Sequence, residues 1–80
     1  MNKKEITFPF CFISRRAVMM TQAVQEIITK PFFIEKNNRR VSAKSLLGLL
    51  SLGIKENDKV ILVSTDKEDI YKMEEIIKNL

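Results

Sequence analysis

Two stretches of this chain carry apolar residues along one side of a helix only, and this pattern most limits the folds open to it. Ile70, Met73, Ile77 and Leu80 recur at three- and four-residue steps, the spacing of a single helical face. Between about Arg15 and Thr29, the residues Ala17, Met20, Thr21, Val24 and one of Ile27 or Ile28 do the same. Lys30-Pro31 ends that helix, because proline disfavours helical geometry in the residue before it. A helix with one apolar stripe needs one surface to bury it against, and a sheet is the economical partner.

The remaining segments supply that sheet. Ile6 and Phe8 alternate with Thr7 and Pro9, a short strand stopped by the proline. Phe32 to Lys36 is rich in β-formers, Asn37-Asn38 suits a tight turn because asparagine tolerates positive φ, and Arg39 to Ala43 returns as the hairpin partner. Val60 to Thr65 is the last strand. Ser45 is placed to cap a short helix running through Leu52, with Gly53 at its left-handed end. Thr65 with Glu68, or Asp66 with Asp69, caps the final helix. The order is strand, helix, strand, strand, helix, strand, helix: an α+β fold, with a four-stranded sheet covered by helices on one face. Eighty residues make one domain, 1–80. Period two sends Phe33, Ile61 and Val63 to the uncovered face, where large apolar side chains imply a homodimer or a protein partner.

Composition narrows the chemistry. The chain has no histidine and one cysteine, Cys11, which excludes the usual zinc sites, histidine-based triads and an intramolecular disulfide. No acid–base or metal constellation is visible, so neither an enzyme nor a cofactor is expected. Cys11 lies between Phe10 and Phe12 with no base nearby, the setting of a buried, inert thiol. No apolar run approaches the roughly 20 residues of a membrane span and no leader pattern opens the chain, so a cytoplasmic protein is expected. The net charge of +4 is uneven: residues 1–44 carry nine basic and three acidic side chains, residues 45–80 five and seven. The basic half lacks a nucleic-acid reader motif and a stacking platform, which leaves nucleic-acid binding as a minor alternative.

The segment Val41-Ser42-Ala43-Lys44-Ser45-Leu46-Leu47-Gly48-Leu49-Leu50-Ser51-Leu52-Gly53-Ile54 closely resembles the regulatory-serine segment of HPr, the small phosphocarrier of the bacterial sugar phosphotransferase system. The resemblance covers the whole chain as a pattern and is sharp in this stretch. It implies the HPr fold, an open-faced sandwich of four antiparallel strands and three helices. The family's other signature, Gly-(Leu/Ile)-His-Ala-Arg-Pro-Ala, is replaced by Cys11-Phe12-Ile13-Ser14-Arg15-Arg16-Ala17. Matching the helix core puts Ile13 at the carrier-histidine position and Arg15 at the family arginine. Counting back from Ser45 puts Ser14 and Arg16 there instead, at the cost of turning Gln22 and Gln25 inward. Neither register supplies an imidazole. A serine phosphate ester is too stable an adduct to be handed on, so Ser14 does not replace the carrier.

The resemblance implies a role for Ser45 as well. In many relatives the matching serine is phosphorylated by HPr kinase/phosphorylase, and the Crh branch, which lacks the carrier histidine, keeps that serine and acts with a catabolite control protein. Leu46, Leu47 and Leu50 match an exposed patch that partners bind. A phosphate on Ser45 would add roughly −1.5 to −2 charge beside Lys44 and near Arg15 and Arg16, which are placed to clamp it or an acidic partner. The bland alternative makes Ser45 a cap and the leucines core, in a degenerate HPr paralogue with an unrelated protein-binding role.

Overall fold

In the computed structural model, which describes the backbone of residues 1–80 and every side chain except that of Ser14, the elements run β1 (Asn2–Thr7), α1 (Ser14–Ile27), β2 (Phe32–Lys36), β3 (Arg39–Ser42), α2 (Leu46–Ser51), β4 (Lys59–Ser64) and α3 (Lys67–Lys78). The four strands form one antiparallel sheet in the order β1-β4-β2-β3. Asn37 and Asn38 take φ of 52° and 65° and close a two-residue hairpin in which Lys36 faces Arg39. β1 begins earlier than the alternation of Ile6 and Phe8 suggests, because the polar residues Asn2 to Glu5 pair with β4 as an edge strand.

The sheet row Lys4–Leu62–Ile34–Val41 shows how the core is laid. Leu62 and Ile34 are fully buried beneath the helices, with Val41 partly buried against them, while Lys4, at the edge, reaches past the sheet to Glu74 of α3 at 3.0 Å. From α1 the core receives Ala17, Met20 and Val24; Thr21 sits beside them with its hydroxyl donating to the Val18 carbonyl at 2.9 Å. Gln22 and Gln25 point outward, which agrees with the register that matches the helix core. The helix stops at Ile27, two residues short of the expected Thr29. Ile28 leaves helical geometry at φ −108° and ψ 111° while its N–H still bonds to the Val24 carbonyl. Ile28 is therefore the buried residue and Ile27 the exposed one. From α3 come Ile70, Met73, Ile76 and Ile77, all buried, with Leu80 packed at the margin. Each fully buried side chain of this size contributes about 1.5–3 kcal/mol.

Two expectations change. Cys11 is exposed: Phe8 meets Phe10 and Phe12 edge-to-face, with centroids 5.0 and 5.6 Å apart, and gathering those rings on one side turns the residue between them to solvent. Phe33, Ile61 and Val63 do share the uncovered sheet face, outside the core. That face nevertheless offers little apolar surface. Val63 lies between Lys3 and Phe33 and is fully buried, Phe33 and Ile61 are half-buried, and the Arg40 guanidinium sits 5.5 Å from the Phe33 ring centroid while also pairing with Glu35. Among the described residues, no helix is long and apolar enough to cross a membrane.

Candidate functional site

α2 has six residues, fewer than an isolated helix needs to persist, so its geometry comes from what surrounds it. At its start Ser45 is extended, at φ −103° and ψ 108°, and its side-chain oxygen accepts from the Gly48 N–H at 3.2 Å. The hydroxyl keeps its own proton and a second lone pair, and the residue is exposed. Gly48 is favoured by close packing: a Cβ there would stand 3.1 Å from Ser45 Oγ and 3.1 Å from the Val41 Cβ beneath it. At the far end Gly53 takes φ 61°, the left-handed residue expected there.

The leucines divide by face. Leu49 and Leu52 are buried in the core. Leu46, expected on the outer patch, is half-buried against the core, because the first residue of so short a helix lies over β3. Leu47 is 81% exposed and Leu50 38%, three residues apart on one outer stripe. On α1, Val18 is exposed and lies seven residues before Gln25, hence on the same flank. Gln25 donates from Nε2 to the Lys44 carbonyl at 3.3 Å, so that flank faces α2. Ile13, at the N-cap position of α1, is also exposed. Ser45, Leu47, Leu50 and Val18 thus belong to one side of the molecule.

Arg15 and Arg16 do not meet Ser45. The Phe12 N–H bonds to the Ile54 carbonyl at 3.1 Å, which sets the start of α1 beside the end of α2, while Gln25 lies beside its start. The two helices run in opposite senses. Nine residues separate Arg16 from Gln25, or about 13 Å of helix, beyond an arginine's reach. Arg15 is exposed, and Arg16 stacks on Phe10 with its guanidinium carbon 4.3 Å from the ring centroid. Lys44 is therefore the cation next to Ser45. The side chain of Ser14 lies outside the described residues, so of the two candidates for the carrier position the structure describes the surroundings of Ile13 alone.

Two residues that sequence reasoning missed complete the site. Lys36 donates from Nζ to the carbonyls of Leu52 and Gly53 at 3.2 and 2.9 Å and pairs with Asp58 at 2.8 Å. Arg39 donates to the Ser51 carbonyl at 2.9 Å and to Ser51 Oγ at 3.1 Å. Cations belong at a helix C-terminus, but these arrive from the hairpin, so no local pattern announces them. Lys36, together with the Lys55 N–H, holds the Asp58 carboxyl below its ordinary value. Residues 43–54 contain no carboxylate, imidazole or thiol. What this stretch offers is an apolar face, the hydroxyls of Ser45 and Ser51 and the lysine Lys44, suited to recognition or to accepting a phosphoryl group. An apolar groove of about 530 Å³ between α1 and α3, lined by Met19, Ile27, Tyr71 and Ile76 with Lys72 and Glu75 at its edge, lies on the other flank of α1.

The model of the family described as "PTS HPr component phosphorylation site" matches residues 5–80. The HPr-like protein Crh of Halalkalibacterium halodurans is 33% identical over 64 residues, covering 80% of this chain and 75% of the relative. Among solved structures, HPr-C-His from Thermoanaerobacter tengcongensis superposes with a TM-score of 0.84 at 25% identity, covering 98% of this chain and 92% of that one. Crh of Bacillus subtilis, solved as an intertwined dimer with a swapped domain, superposes with a TM-score of 0.73 at 26% identity, covering 99% and 93%.

Proposed function

This chain belongs to the PTS HPr family, and from that premise we propose that it is a regulator, not a carrier: it docks protein partners through the α2 surface and is phosphorylated on Ser45. The observation that carries the reading is the absence of any histidine in the 80 residues. Transfer through a family member needs a phosphoryl adduct labile enough to pass on, and an imidazole supplies it near neutral pH. Ile13, an alkyl side chain, has no nucleophilic atom. The chain is not an enzyme in this reading.

Support for docking comes from Leu47. A leucine so exposed, on a helix that fully buries only Leu49, gains little for the fold and fits an interface anchor. Partners of the kind its relatives imply are an HPr kinase/phosphorylase and a catabolite control protein-like regulator in carbon catabolite control. A phosphate on Ser45 would place its charge beside Lys44 and next to Leu47, changing which partners fit. Arg15 and Arg16, at the opposite end of α2, would meet acidic side chains of a partner that spans the whole flank. Homodimerisation by exchange of a segment, as in the swapped Crh dimer, fits better than pairing through Phe33, Ile61 and Val63, whose apolar surface is largely covered.

Incubation with HPr kinase/phosphorylase and ATP, followed by intact mass, tests the reading. One added phosphate on the wild type, none on Ser45→Ala, and weakened regulator binding by Leu47→Ser are expected. An unmodified wild type whose partner binding ignores both substitutions would leave only a degenerate paralogue. Sedimentation across concentrations tests the dimer: a concentration-dependent dimer that survives Phe33→Lys is expected, and one that Phe33→Lys abolishes would return the contact to the open sheet face.

A further inference from the structure

Lys36 is a surface lysine in name only. Its side chain is 16% exposed, and its ammonium meets three oxygens within 3.2 Å: Leu52 O, Gly53 O and Asp58 Oδ2. An ammonium has three protons to donate, so this one is fully engaged, two of its bonds going to helix-end carbonyls. Arg39, its cross-strand partner in the hairpin, fixes the preceding residue through both the Ser51 carbonyl and hydroxyl. The Ser51 hydroxyl then donates to the Gly48 carbonyl at 2.6 Å, and the Gly48 N–H donates to Ser45 Oγ at 3.2 Å. A continuous run of hydrogen bonds leads from the hairpin tip, through the length of α2, to Ser45.

We propose that Lys36 and Arg39 are positioning residues of the docking surface: by holding the last carbonyls of α2 they set the pose of Leu47 and the Ser45 hydroxyl. This rests on the reading of that surface given above. The physical need is plain. α2 is one and a half turns long, carries no acidic residue in its first turn and no basic residue in its last, and fully buries only Leu49 of its own span. Its orphan carbonyls would otherwise face water and its last turn would fray. The two-residue turn at Asn37-Asn38 makes the arrangement rigid, because it aligns both cations on the same closing pair of the hairpin.

The test uses the full chain and three variants, Lys36→Met, Arg39→Met and Arg39→Lys; methionine keeps the stem and removes the charge. Amide hydrogen exchange is read for residues 46–52 and, as a control, 60–64. Exchange in α2 should quicken about tenfold or more in both methionine variants, with β4 protection unchanged and partial recovery in Arg39→Lys. In parallel, phosphorylation of Ser45 by HPr kinase/phosphorylase should show a raised KM with kcat little altered. Unchanged α2 exchange overturns the proposal, and so does faster exchange with an unaltered KM. Should one methionine variant lose β4 protection, the other and Arg39→Lys decide. A wild type that the kinase ignores would count against the function proposed above, while the exchange arm would still decide whether these cations hold α2.

Discussion

α3 and α2 cover the same sheet by opposite means. α3 is equipped by its own sequence: Asp66 caps it by accepting from the Glu68 N–H, Glu68 and Asp69 occupy its first turn, Lys78 its last, and five of its residues are buried. α2 depends on distant residues. Its C-terminal carbonyls are held from the hairpin, its glycine is favoured by Val41, and Leu47 is given to solvent. The contrast separates an element that makes the fold from one that the fold presents. A short helix that leaves apolar side chains in solvent buries less, and needs outside support to stay formed.

The contrast is sharpest where the effects are largest. Met73→Ala, at a fully buried position of α3, should cost about 2–5 kcal/mol, read by urea unfolding; a cost below 1 kcal/mol would mean that α3 is not the structural element. Gly48→Ala should cost up to about 2 kcal/mol, the overpacking against Val41 and Ser45, about 1–3 kcal/mol, less the roughly 1 kcal/mol of helix propensity gained. A stabilised variant would show α2 free to shift on the sheet. Asp66→Ala should cost about 1 kcal/mol through the lost cap. Leu47→Ser, by contrast, should stay within about 0.5 kcal/mol of wild type while weakening partner binding. A large stability loss there would erase the distinction between the two helices.

Acid provides a further comparison, since each helix is anchored by one carboxylate. The Asp66 carboxyl lies below its ordinary value chiefly because Lys30 bonds to it at 2.9 Å, assisted by the Glu68 N–H. Asp58 lies below its ordinary value for the corresponding reason at Lys36. Carboxylates whose folded values are depressed contribute stability above about pH 4 and lose it as pH falls through the folded values. Lys30 is raised by the same Asp66 bond, so its share is intact below its ordinary 10.5 and lost only as strong alkali titrates it. Unfolding followed from pH 7 to 2 should show the acid loss, with Asp58→Asn and Asp66→Asn each flattening part of it. An unchanged profile in both would remove these pairs from the account.

The elements with local causes were legible in the sequence. The stripes of α1 and α3, the Asn37-Asn38 turn, the Ser45 cap and Gly53 follow from periodicity and from the φ preferences of single residues. What escaped depends on the chain meeting itself at a distance. Ile27 and Ile28 are equivalent by spacing, and only the turn toward Pro31 separates them. Cys11 is exposed because three rings claim the inner side of its loop. The distance from Arg15 and Arg16 to Ser45 follows from the opposed directions of α1 and α2, which no local motif encodes, and the same holds for Lys36 and Arg39 at the end of α2.

In the function proposed above, this molecule recognises partners and does not relay phosphate. Purified chain mixed with enzyme I and labelled phosphoenolpyruvate tests it most directly, with an authentic HPr as the positive control. No label is expected on the chain and none on a sugar-specific acceptor. Label on the chain that moves on to the acceptor would contradict that function.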